Sequence, residues 1–226
     1  SEGRSHPVAI AYVAARANEP ELAHLRRALE TALADSDGDV LVFLPGAGEI
    51  RRVQERLGDV EARVLPLYGE LAAADQDAAL QPDPGGARRV ILATKVAETS
   101  VTIPGIRVVV DSGLVRRSLF DPATGMSRLE TQRVSRASAD QLQGRSARVA
   151  AGVCYRLWGE GAHRSLAAFT APEIVDADLA PLALELASWG SRDATALAWL
   201  EPPPAPTLAG ARTLLQRLGA LDADGR

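Results

Sequence analysis

The sequence predicts an α/β fold: a parallel sheet flanked by helices, with an inserted β-hairpin and a small helical domain behind it. Three observations predict this. Short apolar runs at Val8–Ala14, Asp39–Leu44, Ala62–Tyr68, Arg89–Ala93 and Arg107–Val110 alternate with turn residues and stretches of helical spacing, the signature of βαβ units. A strong turn, Asp121-Pro122-Ala123-Thr124-Gly125, sits between two extended segments, Arg116–Phe120 and Ser127–Ser135, which reads as a hairpin. Beyond Thr170-Ala171-Pro172 the pattern becomes helical throughout.

The first strand, Val8–Ala14, leads to a helix opened at Asn18 or Glu19 with Pro20 in its first turn. Leu22, Leu25, Leu29 and Leu33 recur there on one face. Asp35–Gly38 is a turn, and Asp39–Leu44 is continuously apolar, as a strand covered on both faces requires. Pro45-Gly46-Ala47-Gly48 opens a helix through Arg56, with Ile50, Val53 and Leu57 inward. Two glycines there let a ligand approach the backbone, although most such turns are only turns. Ala62–Tyr68 tolerates Pro66 near its end, and a helix runs to about Leu80. Gln81–Gly86 is a loop, Arg89–Ala93 the next strand, and Val108–Val110 a central strand ended by Asp111-Ser112-Gly113. After the hairpin, Ser138 or Asp140 caps a helix, Val153–Trp158 forms the last strand, and Gly161–Phe169 a short helix. Leu179, Leu182, Leu184, Leu186 and Trp189 mark another helix, Glu201–Pro206 a stiff linker, and Leu208–Leu218 a final helix.

A chain of 226 residues, 46% hydrophobic and 24% charged, suffices for one α/β domain and part of a second. No apolar run reaches the ~18 residues of a membrane span, no signal peptide is visible, and Cys154 is the only cysteine. These features fit a reducing, cytoplasmic setting with Cys154 as a buried thiol. A net charge of −4 argues against a general nucleic-acid glue. From Arg107 to Arg164, however, ten arginines face five acids. That basic middle is either a localised anion site or a solvated arginine-rich face. His6, His24 and His163 have no metal-ligand partners in sequence and are expected to be structural or exposed; no metal site is predicted.

The most polar segment is Ala93–Gly105, ATKVAETSVTIPG, between two strands. It holds Thr94, Thr99, Ser100 and Thr102, one carboxylate, Glu98, and the only lysine, Lys95. A polar loop at the carboxyl end of a parallel strand is where ligands bind in such sheets. Hydroxyls and backbone N–H groups suit phosphate oxygens, yet the same residues would also make a Thr-rich capped turn.

That segment resembles motif V of DEAH/RHA-type superfamily 2 RNA helicases. Leu41–Gly46 with Gly48-Glu49-Ile50 resembles motif IV, Leu67–Leu71 the segment after it, and Gln141–Arg148, QLQGRSAR, motif VI. The order matches the family, the likeness runs from about Val8 to the end, and it is strongest to the bacterial HrpB-type helicases. The resemblance implies a second RecA-like lobe over residues 1–170 and the start of a winged-helix domain over 171–226, cut short where the wing would begin. It implies ATP and Mg²⁺ as cofactors, RNA and possibly DNA as partners, and a first RecA-like lobe in the same polypeptide. By resemblance Arg145 and Arg148 are arginine fingers for a γ-phosphate, and Gln141 positions the attacking water or that phosphate. Thr102 joins the two arginines in binding ATP. Gly46, Thr94, Lys95 and Thr99 would contact the RNA backbone, and Arg116 and Arg117 belong to a hairpin that touches nucleic acid in the family. Three residues apart on a helix, Arg145 and Arg148 would share one face.

Some residues depart from the family. Leu142 replaces the first motif VI arginine, Ala147 a glycine, Lys95 an asparagine, Pro104 an acid and Leu80 a phenylalanine that stacks on the base. Neither G-x-x-x-x-G-K-[ST] nor a D-E-x-H box occurs in these residues, and in the family both lie on the first lobe. The chain alone is therefore expected not to hydrolyse ATP. Two rival readings remain: a degenerate lobe that binds RNA or protein without catalysis, and a Rossmann-like enzyme. The lack of G-x-G-x-x-G after the first strand disfavours the latter.

Overall fold

The computed structural model describes residues 6–58, 60–95, 102–191 and 193–225. Six strands form one parallel sheet: β1 (Val8–Tyr12), β2 (Asp39–Phe43), β3 (Arg63–Leu67), β4 (Arg89–Ala93), β5 (Ile106–Asp111) and β8 (Gly152–Arg156). Their order is β1-β8-β5-β2-β4-β3. Strands β6 (Leu114–Asp121) and β7 (Met126–Arg133) pair separately as the expected hairpin. Its turn is closed by the Gly125 N–H donating to the Asp121 carbonyl at 2.8 Å, while the Asp121 carboxylate accepts from the Ala123 N–H at 2.9 Å.

The apolar runs became strands because both their faces are covered. Val40, Val42 and Leu44 join Val108 and Val110 under Leu25 and Leu29 of α1 (Glu21–Asp35) and Ile50 and Val53 of α2 (Ala47–Arg56). Leu41, Phe43 and Val109 join a second core with Ala79 of α3 (Ala73–Leu80), Ile103, Cys154 and Leu142 of α4 (Arg136–Gln143). Alternate residues of one strand thus serve opposite cores, as strand geometry dictates. Leu80 packs against this second core, and the Pro104 carbonyl accepts from buried Arg89, 2.6 Å away.

The chain divides into two compact units, residues 1–116 with 131–170, and residues 117–130 with 171–226. The second holds α6 (Glu173–Asp176), α7 (Ala180–Ser188) and α8 (Ala205–Arg217), after α5 (Glu160–Arg164) of the first. Its core gathers Leu179, Ala183, Leu186, Leu208, Ala211 and Leu215.

Several boundaries differ from the sequence expectation. Helix α4 begins earlier, at Arg136, because Ser135 is its cap: the Ser135 Oγ accepts from the Ser138 N–H at 3.2 Å. Ser138 and Asp140 lie inside the helix. Strand β8 ends at Arg156, and α5 ends at Arg164. Helix α8 starts at Ala205, so Pro206 belongs to its first turn, where its missing N–H costs no helix bond.

Candidate functional site

The arginine-bearing segment is not one continuous α-helix. Helix α4 stops at Gln143, and residues Gly144–Ala147 form a 3₁₀ turn. Arg145 lies in that turn and is 8% exposed, whereas Arg148 follows it and is exposed. The expectation of two arginines on one helical face is therefore corrected: one points inward and the other outward. The cause is Gly152. A Cβ there would stand 2.2 Å from the Ser146 carbonyl oxygen, so the turn can press onto the start of β8 only over a glycine. Ser146 is fully buried and its hydroxyl donates to the Gln143 carbonyl at 2.8 Å, which draws the chain tighter than an α-helix.

Arg148 donates from Nη1 to the Thr102 hydroxyl. The two line an open cavity of about 660 Å³ with His6, Asp140, Gln143 and Gly144. Two residues expected at a nucleotide are thus together, and a hydroxyl with a guanidinium beside open space suits phosphate oxygens. Gln141 is exposed on α4 and does not line this cavity, and neither does Arg145. Leu142 is 2% exposed in the second core. Among the described residues no three His, Cys, Asp or Glu gather into a metal-holding group.

At the carboxyl ends of the strands, Gly46 is buried at the start of α2. A Cβ there would lie 3.0 Å from Glu49 Oε2 and 3.1 Å from Arg116 Nη1. Arg116 pairs with Glu49 at 2.9 Å, so Gly46 and Arg116 share one spot. Thr94, at the end of β4, donates its N–H to the Leu67 carbonyl at 3.2 Å, and Lys95 beside it is exposed. Thr99, with Glu98 and Ser100, lies outside the described residues. Arg117 pairs with Asp176 at 3.1 Å and donates to the Ala171 carbonyl at 3.0 Å, both within the second unit. Near Glu49, a cavity of about 420 Å³ is walled by Leu22, Leu25, Leu44, Val53 and Leu157, with Arg52 and Arg133 at its edge.

Sequence reasoning passed over Arg156, the last residue of β8. It is 1% exposed, and its Nη2 donates to Asp140 Oδ1 at 2.7 Å and Gln143 Oε1 at 2.8 Å. Its Nη1 donates to the Tyr12 hydroxyl at 3.0 Å. Burial works against its charge, but the bonds to Asp140 and Tyr12 outweigh that and raise its pKa. His163 packs against Tyr12 and Trp158, and burial and then Arg156 lower its pKa. The Cys154 thiol is pushed up to about 12, by burial first and then by Asp111. His24 bonds through Nε2 to the Val13 carbonyl at 2.7 Å, a structural role. A glycine two residues before an apolar pair was the one sequence signal for the Gly152 contact, and it was too common to read.

The helicase conserved C-terminal domain matches residues 21–150. The ATP-dependent RNA helicase HrpB of Escherichia coli (strain K12) is 44% identical over 227 residues, 99% of this chain and 28% of that protein. The pre-mRNA-splicing factor ATP-dependent RNA helicase prp22 of Schizosaccharomyces pombe is 40% identical over 237 residues, 99% of this chain and 20% of that protein. A crystal structure of the Escherichia coli DEAH/RHA helicase HrpB superposes with a TM-score of 0.93 at 44% identity, over 99% of this chain and 29% of that one. The six-stranded parallel sheet is thus a RecA-like α/β fold, and the chain spans less than a third of the length of these relatives. By its domain match, its sheet and its neighbours, this chain belongs to the helicase conserved C-terminal domain family, among the helicases of DEAH/RHA type.

Proposed function

We propose that this chain is the second RecA-like lobe of an ATP-dependent RNA helicase, contributing arginine side chains to ATP hydrolysis and backbone-binding groups to RNA. Residues 1–170 form that lobe, and 171–226 begin a winged-helix domain. The observation that carries the reading is the meeting of Thr102 and Arg148 beside an open cavity. Neither residue has an evident need of the other for folding, since Arg148 is exposed. ATP is the substrate that would bring triphosphate charge to this place. Arg148 would leave the Thr102 hydroxyl for the γ-phosphate and offset the charge that grows there in the transition state, a role worth ~10³–10⁵ in rate in phosphoryl transfer. Arg145, in the turn just before it, backs it from the buried side. Gln141 is the candidate for orienting the water. The Mg²⁺ ligands and the phosphate loop would come from a first lobe.

RNA would cross the carboxyl ends of the strands, over Gly46, Thr94, Lys95 and Arg116; Thr99, expected by resemblance to join them, lies outside the described residues. Arg117, already paired with Asp176, would serve the strand from the hairpin only on giving up that partner. Such phosphate contacts are independent of sequence and weaken with salt. DNA carries the same phosphates and is the comparison ligand.

The altered motif VI, with Leu142 where the resemblance expects an arginine, is the ground for a second reading, a lobe that binds RNA or protein without turning over ATP. ATP hydrolysis by the full-length protein, with and without single-stranded RNA, separates the two. The helicase reading expects RNA-stimulated turnover that falls by at least about 10³ in Arg148→Ala without loss of folding. Absence of turnover with RNA binding intact would establish the binding module.

A further inference from the structure

We infer that Arg156 is the positioning residue for the arginine-bearing turn, acting from inside the sheet without touching the nucleotide; this rests on the reading above. Its guanidinium ends β8 at 1% exposure and does not line the cavity that Thr102 and Arg148 share. One nitrogen, Nη2, bonds two side chains of the last turn of α4, Asp140 at 2.7 Å and Gln143 at 2.8 Å. The other, Nη1, bonds Tyr12 at 3.0 Å on β1, the strand next to β8. Arg156 therefore ties the end of α4 to two adjacent strands.

The tie continues into the turn itself. The main-chain carbonyl of Gln143 accepts the Ser146 hydroxyl at 2.8 Å. Ser146 is fully buried, and its carbonyl rests over Gly152 at the opposite end of β8. A single strand thus fixes the turn from both sides, with Arg156 holding Gln143 and Gly152 receiving Ser146. Arg145 lies between those two contacts, and Arg148 emerges two residues after the second.

Stability alone does not ask for this arrangement. A buried cation is costly, its Nε has no hydrogen-bond partner among the described residues, and an apolar side chain of the same size would fill the space as well. An arginine adds a planar fork that fixes two acceptors in direction as well as distance. A lysine ammonium could donate to Asp140 and Gln143 but has no second nitrogen in a fixed plane to hold Tyr12 as well.

The test uses the full-length protein that carries this chain, as wild type, Arg148→Ala, Arg156→Met and Arg156→Lys. Steady-state ATP hydrolysis with RNA is measured beside the stoichiometry of a fluorescent ATP analogue and the melting temperature. Arg156→Met is expected to lower kcat by about 10- to 100-fold, the scale of a small misplacement of catalytic groups. It should still bind one nucleotide per molecule, with KM nearly unchanged. Arg156→Lys is expected to fold and to lose kcat by a smaller factor, and it carries the test if the methionine variant does not fold. Wild-type kcat in either variant overturns the inference. So does a loss of kcat that only follows a loss of nucleotide-binding molecules, which marks a structural role. If the wild type does not turn over ATP, or Arg148→Ala turns it over normally, the proposed function itself fails and takes this inference with it.

Discussion

Leu142 shows how one residue can look like a defect in a motif and be a requirement of the core. The motif that this stretch resembles carries an arginine at this place, so Leu142→Arg is the substitution that would restore the resemblance. The side chain sits at 2% exposure among Leu41, Phe43, Ile91 and Cys154. A guanidinium there would lose its hydration with no acid among those neighbours to pair with. Leu142→Arg is therefore expected to lower stability by several kcal/mol in urea unfolding, and to leave ATP turnover no higher than in the parent. Recovery of full stability together with faster turnover would show that the core adapts. Whether position 142 faced the cleft or the core could not be seen in the motif, because the motif fixes residue types and not the rotation of α4.

At the scale of elements, α1 is held by an anchor that lies before it. Asn18 adopts a φ of 57°, in the left-handed region, and brings Glu19 against both Arg27 Nε and Nη2 at 2.8 Å. The Arg16 N–H adds a third bond at 2.8 Å. The bond from Arg27, then that from Arg16, lowers the Glu19 pKa from 4.5 to about 2. Between those values the unfolded chain binds a proton at Glu19 and the folded chain does not. The contribution of Glu19 is thus complete above pH 4.5 and fades as pH falls toward 2. Glu19→Gln is expected to be less stable than wild type at pH 7, with the gap closing across that range in unfolding curves taken at pH 7, 4 and 3. The strands themselves were legible, because continuous Val, Ile and Leu runs have no other use in a chain of this length. The helix ends were less so. Ser135 rather than Ser138 caps α4, and the 3₁₀ turn after it depends on Gly152, a contact made only once β8 lies alongside.

For the whole molecule, the legible part is the part carried by local pattern: Gly46 opens α2, and Thr102 and Arg148, expected at one ligand, are hydrogen-bonded to each other. What escaped was long-range pairing. Arg156 meets Tyr12 across 144 positions, and Asp39 meets Arg89 across 50. No spacing rule reaches that far, since such partners are chosen by the strand order and not by the chain's periodicity. The same order bears on how the protein is made. Of the described strands of this sheet β1 is made first, yet β8 is the one neighbour it has among them. It must wait for about 140 more residues before any ladder bond can form. Until then β1 has no ladder partner and β5 lacks its neighbour on that side, two open edges of the kind that recruit other chains. Pulse-labelled hydrogen exchange on refolding protein should find the β2, β4 and β5 amides protected early, and those of β1 last, together with β8. Protection of β1 ahead of β8 would require a temporary partner for β1. A nascent chain halted before Gly152 would hold β1 as an unclaimed sticky end, a natural handle for a chaperone.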